Sequence, residues 1–186
     1  MTPYNELKSL LDLLLVDIYA AEQHLSRELR SYVDAAVSSE LRSQLEKHLH
    51  ETERHASSMA QLLKGRSLDP HEGKCRVIDS LLKKGQEILQ SRGEDAVLDL
   101  GLVFIMRKID LLEQSGYEDA KTVAEALGED SVVKILEQHI REEGQHERSW
   151  VVLGEDMVDS LALKGAGRLS PISGAGSTAG RSDVYG

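Results

Sequence analysis

"HLHETERH", residues 48 to 55, returns 91 positions later as "HIREEGQH", residues 139 to 146. The chain has seven histidines, and this register lays His48 on His139, His55 on His146 and Glu51 on Glu142. The same shift carries Ile18, Glu22, Gln23, Leu45 and Leu62 onto Ile109, Glu113, Gln114, Leu136 and Leu153. Coincident leucines and glutamates are common in helical sequence, but coincident histidines are not. The pattern therefore reads as two tandem helical hairpins.

Helices are what the composition allows. Three prolines and 4% aromatic residues leave few breakers and little strand-forming material. At 100° per residue, Leu7, Leu11, Leu14, Ile18, Leu25, Leu29, Tyr32 and Ala36 fall in one arc roughly 60° wide, which predicts an amphipathic helix from Thr2-Pro3. "AAVSS", residues 35 to 39, supplies a turn and a Ser N-cap. A second helix is expected over 39–64, ended by "KGRSLDPHEG", and a short one over 73–91, ended near Gly93. Two more long helices are expected over 94–127 and 130–163, with Gly128 as the C′ residue between them. The domain so predicted spans 1–164 and is all-α: an antiparallel four-helix bundle built from two hairpins, with a short extra helix between them. Residues 165–186, rich in Gly and Ser, read as a flexible tail.

At 186 residues one domain is the default. A net charge of -10 with no basic run beyond Lys83-Lys84 offers nothing to a phosphate backbone, so no nucleic acid is expected as a partner. Lys8, Asp12, Asp17 and Glu22 interrupt the densest apolar stretch, so no membrane span or anchor is expected either. No secretory signal is legible, and Cys75 is the sole cysteine, so a soluble protein of the reducing cytoplasm is expected.

The turns set the height of the acids. The midpoint of Glu22 and Glu51 falls in the Ala36–Ser38 turn, and that of Glu113 and Glu142 at Leu127-Gly128. In an antiparallel hairpin, residues equidistant from the turn lie side by side, here about 14 residues or roughly 21 Å from it. Two such hairpins packed together bring four acids to one level. Glu22 and Glu113 sit inside the apolar arcs of their helices. His48 and His55 lie at the near edge of the stripe with Glu51 farther round, and His139, His146 and Glu142 repeat this. Glu143 falls in the middle of its stripe, among Leu136, Trp150 and Leu161. The spacing alone leaves open whether Glu142 or Glu143 is the inward acid.

Burying one unpaired carboxylate costs several kcal/mol, and three or four would consume a typical net stability of about 5–15 kcal/mol. No Lys or Arg shares the stripe at that level of the first or third long helix, which leaves protonation, a wet cavity or bound cations. Carboxylates with imidazoles suit iron, manganese or zinc, and one Glu from each of two helices with Glu plus His from each of the others is the dimetal carboxylate arrangement. Two divalent metal ions would balance four glutamates. The metal-site candidates are Glu22, Glu51, His55, Glu113, Glu142, Glu143 and His146. Tyr19, Tyr117, Trp150 and Cys75 read as core residues, and His24 and His71 as surface residues. Gly101, Gly116 and Gly154, inside helices, signal close helix approach or local bulges.

"DIYAAEQHL" (17 to 25), "HLHET" (48 to 52), Cys75 opening the short helix and "EQSGYEDAKTVAEALG" (113 to 128) occur in an order and spacing that resembles the ferritin-like superfamily and, within it, the YciE/YciF-type bacterial stress proteins. The resemblance covers about residues 6 to 162. It implies a ferritin-like bundle with a dinuclear metal motif, in a stress-response setting, often as a homodimer, and by position it carries over Glu22, Glu51, Glu113 and Glu143. Where the family tends to have an acid-His pair three residues before its third-helix Glu, this chain has Asp110-Leu111. The superfamily's Glu-x-x-His spacing appears only as Glu143/His146, Glu51 and His55 being four apart. Two functions are expected from these features. The first is a di-iron protein that binds or oxidises iron, or reduces O₂ or peroxide. The second is a non-catalytic assembly module with structural acids.

Overall fold

The Ser38 hydroxyl accepts the Leu41 amide at 3.2 Å and starts α2 three residues after α1 ends, so the two helices must run antiparallel. The structure, a computed structural model, describes residues 6–168. The helices are α1 (Leu7–Ala35), α2 (Ser39–Gly65), α3 (Arg76–Leu89), α4 (Asp95–Ala126) and α5 (Asp130–Arg168). Strands are absent among the described residues, as an all-α chain requires. None of these helices is long and apolar enough to cross a membrane. The expected start at Thr2-Pro3 lies outside the described residues. α5 runs to Arg168, past the expected boundary at 164, and the rest of the expected tail also lies outside them.

The second hairpin closes as its glycine predicts. Gly128 takes φ +71°, its amide bonds Glu125 O at 3.0 Å, and the Glu129 amide bonds Ala124 O at 2.9 Å, the paired bonds of a Schellman ending. α1 packs on α2 and α4 on α5, while α1 against α4 and α2 against α5 complete the four-helix bundle. Asp99 of α4 accepts the Ser38 amide at 2.7 Å and so fastens the α1–α2 turn onto the second hairpin.

α3 is shorter than the expected 73–91 because the segment before it lies flat on α1. The Lys74 amide donates to Asp17 at 2.8 Å, and a Cβ at Gly73 would meet the Val16 carbonyl oxygen at 2.3 Å. α3 itself crosses α1 and α4. It approaches at Gly85, where a Cβ would stand 2.2 Å from the Tyr32 hydroxyl. Tyr32 is fully buried and donates to Leu82 O at 2.8 Å, so it has nowhere to retreat. Gly85→Ala is therefore expected to cost a net of about 1–2 kcal/mol, overpacking outweighing the roughly 1 kcal/mol gained in helix propensity. Denaturant unfolding measures it, and an unchanged midpoint would count against this packing.

Two apolar layers form the core. One holds Leu25, Leu29, Leu41, Leu45, Met106 and Trp150, and the other Leu11, Leu15, Met59, Leu63, Ala120 and Leu136. Between them every long helix contributes polar residues: Glu22 from α1, His48, Thr52 and His55 from α2, Asp110 and Glu113 from α4, and His139, Glu143 and His146 from α5. All are buried.

Candidate metal centre

In this middle layer, ligand atoms of His48, Asp110, Glu113 and Glu143 lie within 4.8 Å of one another, and so do those of Glu22, His55 and Glu143. Glu143 belongs to both groups. His55 Nδ1 stands 3.0 Å from Glu143 Oε1 and 3.5 Å from Glu22 Oε1, and His48 Nε2 stands 3.8 Å from Glu143 Oε2. On the other side of its ring, His48 Nδ1 is 3.7 Å from Asp110 Oδ1.

Both oxygens of Glu113, one each of Glu22, Asp110 and Glu143, and both nitrogens of His48 are buried without a hydrogen-bond partner. Buried polar atoms are almost always satisfied, so this concentration in one layer needs a cause. Four buried carboxylates and two imidazoles in overlapping groups match the donor types and the charge that two divalent first-row ions require. The residues present fit such a pair.

Without a cation the layer has to spread its charge over protons. Burial first, then Glu143 and Glu22, hold the Glu113 carboxyl well above its usual range. Asp110 is raised well above it by burial and by Glu143. Glu143 rises to about 7, burial and Glu22 outweighing the help of His55. Burial opposes protonation of His55, yet the Glu143 and Glu22 carboxylates override it and raise this imidazole to about 11. His48 is held well below its usual value by burial and by His146 and His55, and burial with His55 takes His139 down to about 3.

A surrounding set of contacts orients these groups. Tyr117 donates to Glu22 Oε1, and Trp150 Nε1 donates to Asp110 Oδ2 at 2.8 Å. Two of the three aromatics expected to serve as packing thus also hold carboxylates. His55 Nε2 meets Glu142 Oε2 at 2.6 Å, and His146 Nε2 pairs with Glu51 Oε2. The His48 ring stacks on His146 at 4.5 Å, and His139 stacks on His55 at 4.1 Å. A shift of 91 residues exchanges the two His–Glu pairs and likewise the two stacks, so the hairpins face each other as the repeat predicts. The exchange holds for Glu22 and Glu113 but fails at the other two buried acids: Thr52 stands opposite Glu143 in the repeat, and Tyr19 opposite Asp110.

Of the seven residues singled out from sequence, the structure brings Glu22, His55, Glu113 and Glu143 into the two groups. Glu51 and Glu142 lie at the margin, their side chains 20% and 19% exposed, each paired with the histidine of the other hairpin. His146 is buried beside Glu51 and outside both groups. His48 and Asp110 were missed, although the signals were present: His48 lies seven residues before His55, and Asp110 three before Glu113, spacings that keep side chains on one helix face. Of the residues expected at the surface, His71 is exposed, while His24 is half-buried and meets Asp79 at 2.5 Å. Cys75 is half-buried at the start of α3, and burial raises its thiol.

The profile of the family described as "Domain of unknown function (DUF892)" matches residues 6–159. The YciF protein of Escherichia coli strain K12 is 29% identical over 131 residues, 70% of this chain and 79% of that protein. The crystal structure of the E. coli stress protein YciF superimposes with a TM-score of 0.78 at 26% identity, covering 83% of this chain and 98% of that one. YcfI from Rhodopseudomonas palustris superimposes at 0.75 and 28% identity, covering 80% and 95%. With its all-helical fold, buried acid–histidine layer and profile match, the chain belongs to the DUF892 family, among YciF-like helical bundles.

Proposed function

We propose that this protein is a dimetal carboxylate protein holding two divalent ions, iron by preference over manganese or zinc. One ion is held by His48, Asp110, Glu113 and Glu143, the other by Glu22, His55 and Glu143. The observation that carries this reading is the sharing of Glu143 between two groups in which both oxygens of Glu113 and one each of Glu22, Asp110 and Glu143 are buried without a partner. An iron pair so held would supply electrons to O₂ or peroxide, or would itself be the iron that is bound and oxidised. The chain's own part is orientation. Glu142, by accepting from His55 Nε2, leaves Nδ1 facing the space between Glu22 and Glu143, and Tyr117 and Trp150 hold Glu22 and Asp110 in place.

The setting is a stress response, as the description of YciF as a stress protein suggests, and the compartment is the cytoplasm. The working state is a homodimer. Val97, Phe104 and Leu111 recur every seven residues on α4 and are 49%, 44% and 48% exposed, an apolar stripe suited to a second copy. A second reading, a non-catalytic assembly module, is favoured by the proton-sharing just described, which lets the layer survive without cations.

Elemental analysis after aerobic and anaerobic iron loading separates the two readings. About two ions per chain, lost in the double variant Glu22→Ala/Glu113→Ala, are expected from the dimetal reading. Metal content near zero in the unaltered protein would establish the second reading instead.

A further inference from the structure

The metal-binding layer is closed toward both bundle ends by the apolar layers, and toward the α2–α5 face by the two His–Glu pairs with Arg54 alongside. Its other flank is different. Between α1, α3 and α4 lies a cavity of about 110 Å³, walled by Leu14, Ile18, Ala21, Ile78, Leu112 and Gly116. Glu22, Glu113 and Tyr117 line it too, and both oxygens of Glu113 and Oε2 of Glu22 are buried without partners. Cys75 forms part of the wall, its segment pinned to α1 by the Lys74–Asp17 bond.

The geometry points to this cavity as the port by which a small, uncharged molecule of two or three heavy atoms reaches Glu22 and Glu113, with Gly116 and Leu112 setting what can enter. The size follows from the volume, only a few times the roughly 30 Å³ share of one water. The polarity follows from the walls: an ion of either sign would lose its hydration among the aliphatic side chains, and an anion would in addition face the carboxyls of Asp17, Glu22 and Glu113 with no cation in the wall to receive it. At Gly116 an added Cβ would meet only Ile18, at an ordinary 3.8 Å, so a longer side chain there has the cavity to grow into. This inference rests on the dimetal reading for its purpose and on the cavity alone for its existence.

Xenon tests the cavity without metal or turnover. Crystals of the metal-free full chain pressurised with xenon are expected to show it between Ile18, Leu112 and Gly116, and Gly116→Leu is expected to remove it while leaving iron content after loading unchanged. Should Gly116→Leu fail to fold, Leu112→Trp carries the same test, since Leu112 lines the cavity and is 38% exposed. Cys75, the sole cysteine, gives a solution readout. Its thiolate attacks methyl methanethiosulfonate, forming a mixed disulfide and releasing methanesulfinate, and either variant is expected to slow this about ten-fold. No xenon in the unaltered protein, or xenon and labelling unchanged in both variants, overturns the port. Xenon bound in a protein that takes up no metal overturns the dimetal reading instead.

Discussion

Glu143→Ala is expected to empty the protein of metal, whereas Glu22→Ala leaves one ion per chain. Glu143 is the only residue common to both groups, so its removal takes a ligand from each. Loss of Glu22 reduces its group to His55 and Glu143 and leaves the set of His48, Asp110, Glu113 and Glu143 whole. The surrounding residues should matter less. Tyr117→Phe and Trp150→Phe remove hydrogen bonds to Glu22 and Asp110 and are each expected to weaken affinity by roughly 10–100-fold, the usual cost of losing an outer partner. Iron and zinc titrations with elemental analysis measure all four variants. Equal loss from Glu22→Ala and Glu143→Ala would mean that the two groups do not bind separately, and retention of metal by Glu143→Ala would refute the shared ligand.

The metal-free protein should lose stability steadily as pH rises from 7 to 9, and metal should reverse that trend. Glu113 and Asp110 have folded-state values raised well above the unfolded ones, so the folded chain keeps protons there that the unfolded chain has shed. His55, raised to about 11, does the same above its unfolded value of about 6.5. Wherever the folded state binds more protons, stability falls with rising pH, by up to about 1.4 kcal/mol per unit for each group. Below about pH 6.5 the trend is mixed. There His48, His139 and His146 are lowered, so their contribution is lost as pH falls through their folded-state values. Above it these histidines are neutral in both states and the opposing terms vanish. Metal uptake requires the carboxylates and His55 Nδ1 to be free of protons, so affinity rises across the same window. Denaturant midpoints at pH 7, 8 and 9, with chelator and with iron, check both signs. Glu113→Leu, which removes a buried acid and keeps apolar volume, should raise the metal-free midpoint and flatten its slope. A metal-free protein whose stability rises from pH 7 to 9 would contradict the assignment of protons to this layer.

The level of the site was legible because turns are local. Ser38 and Gly128 declare where each hairpin reverses, and counting back from them puts Glu22 and Glu113 at one height with the histidine pairs. The side of the helix was harder. Glu142 and Glu143 are adjacent, about 100° apart around α5; the wheel put Glu143 in mid-stripe without deciding between them, and the way α5 lies against α2 sends Glu143 to the centre and Glu142 to His55 Nε2. Exchange between hairpins was likewise hidden. Glu51 and His55 sit one turn apart and read as a chelating pair, yet each meets a residue of α5. Asp110 and His48 were readable by spacing, but on a helical wheel an acid or imidazole at the edge of a stripe looks the same whether its partner is water or another helix. The strap before α3 depends on Gly73 meeting the Val16 backbone, a contact across 57 residues that no local pattern encodes.

The mismatch of Thr52 with Glu143 has a consequence for how such a centre can arise. Two identical hairpins meeting as separate molecules would present either a pair of central glutamates or a pair of threonines, since every position would be duplicated. Joining the halves in one polypeptide lets each diverge alone, so a single central acid can serve both ions while its counterpart stays small and uncharged.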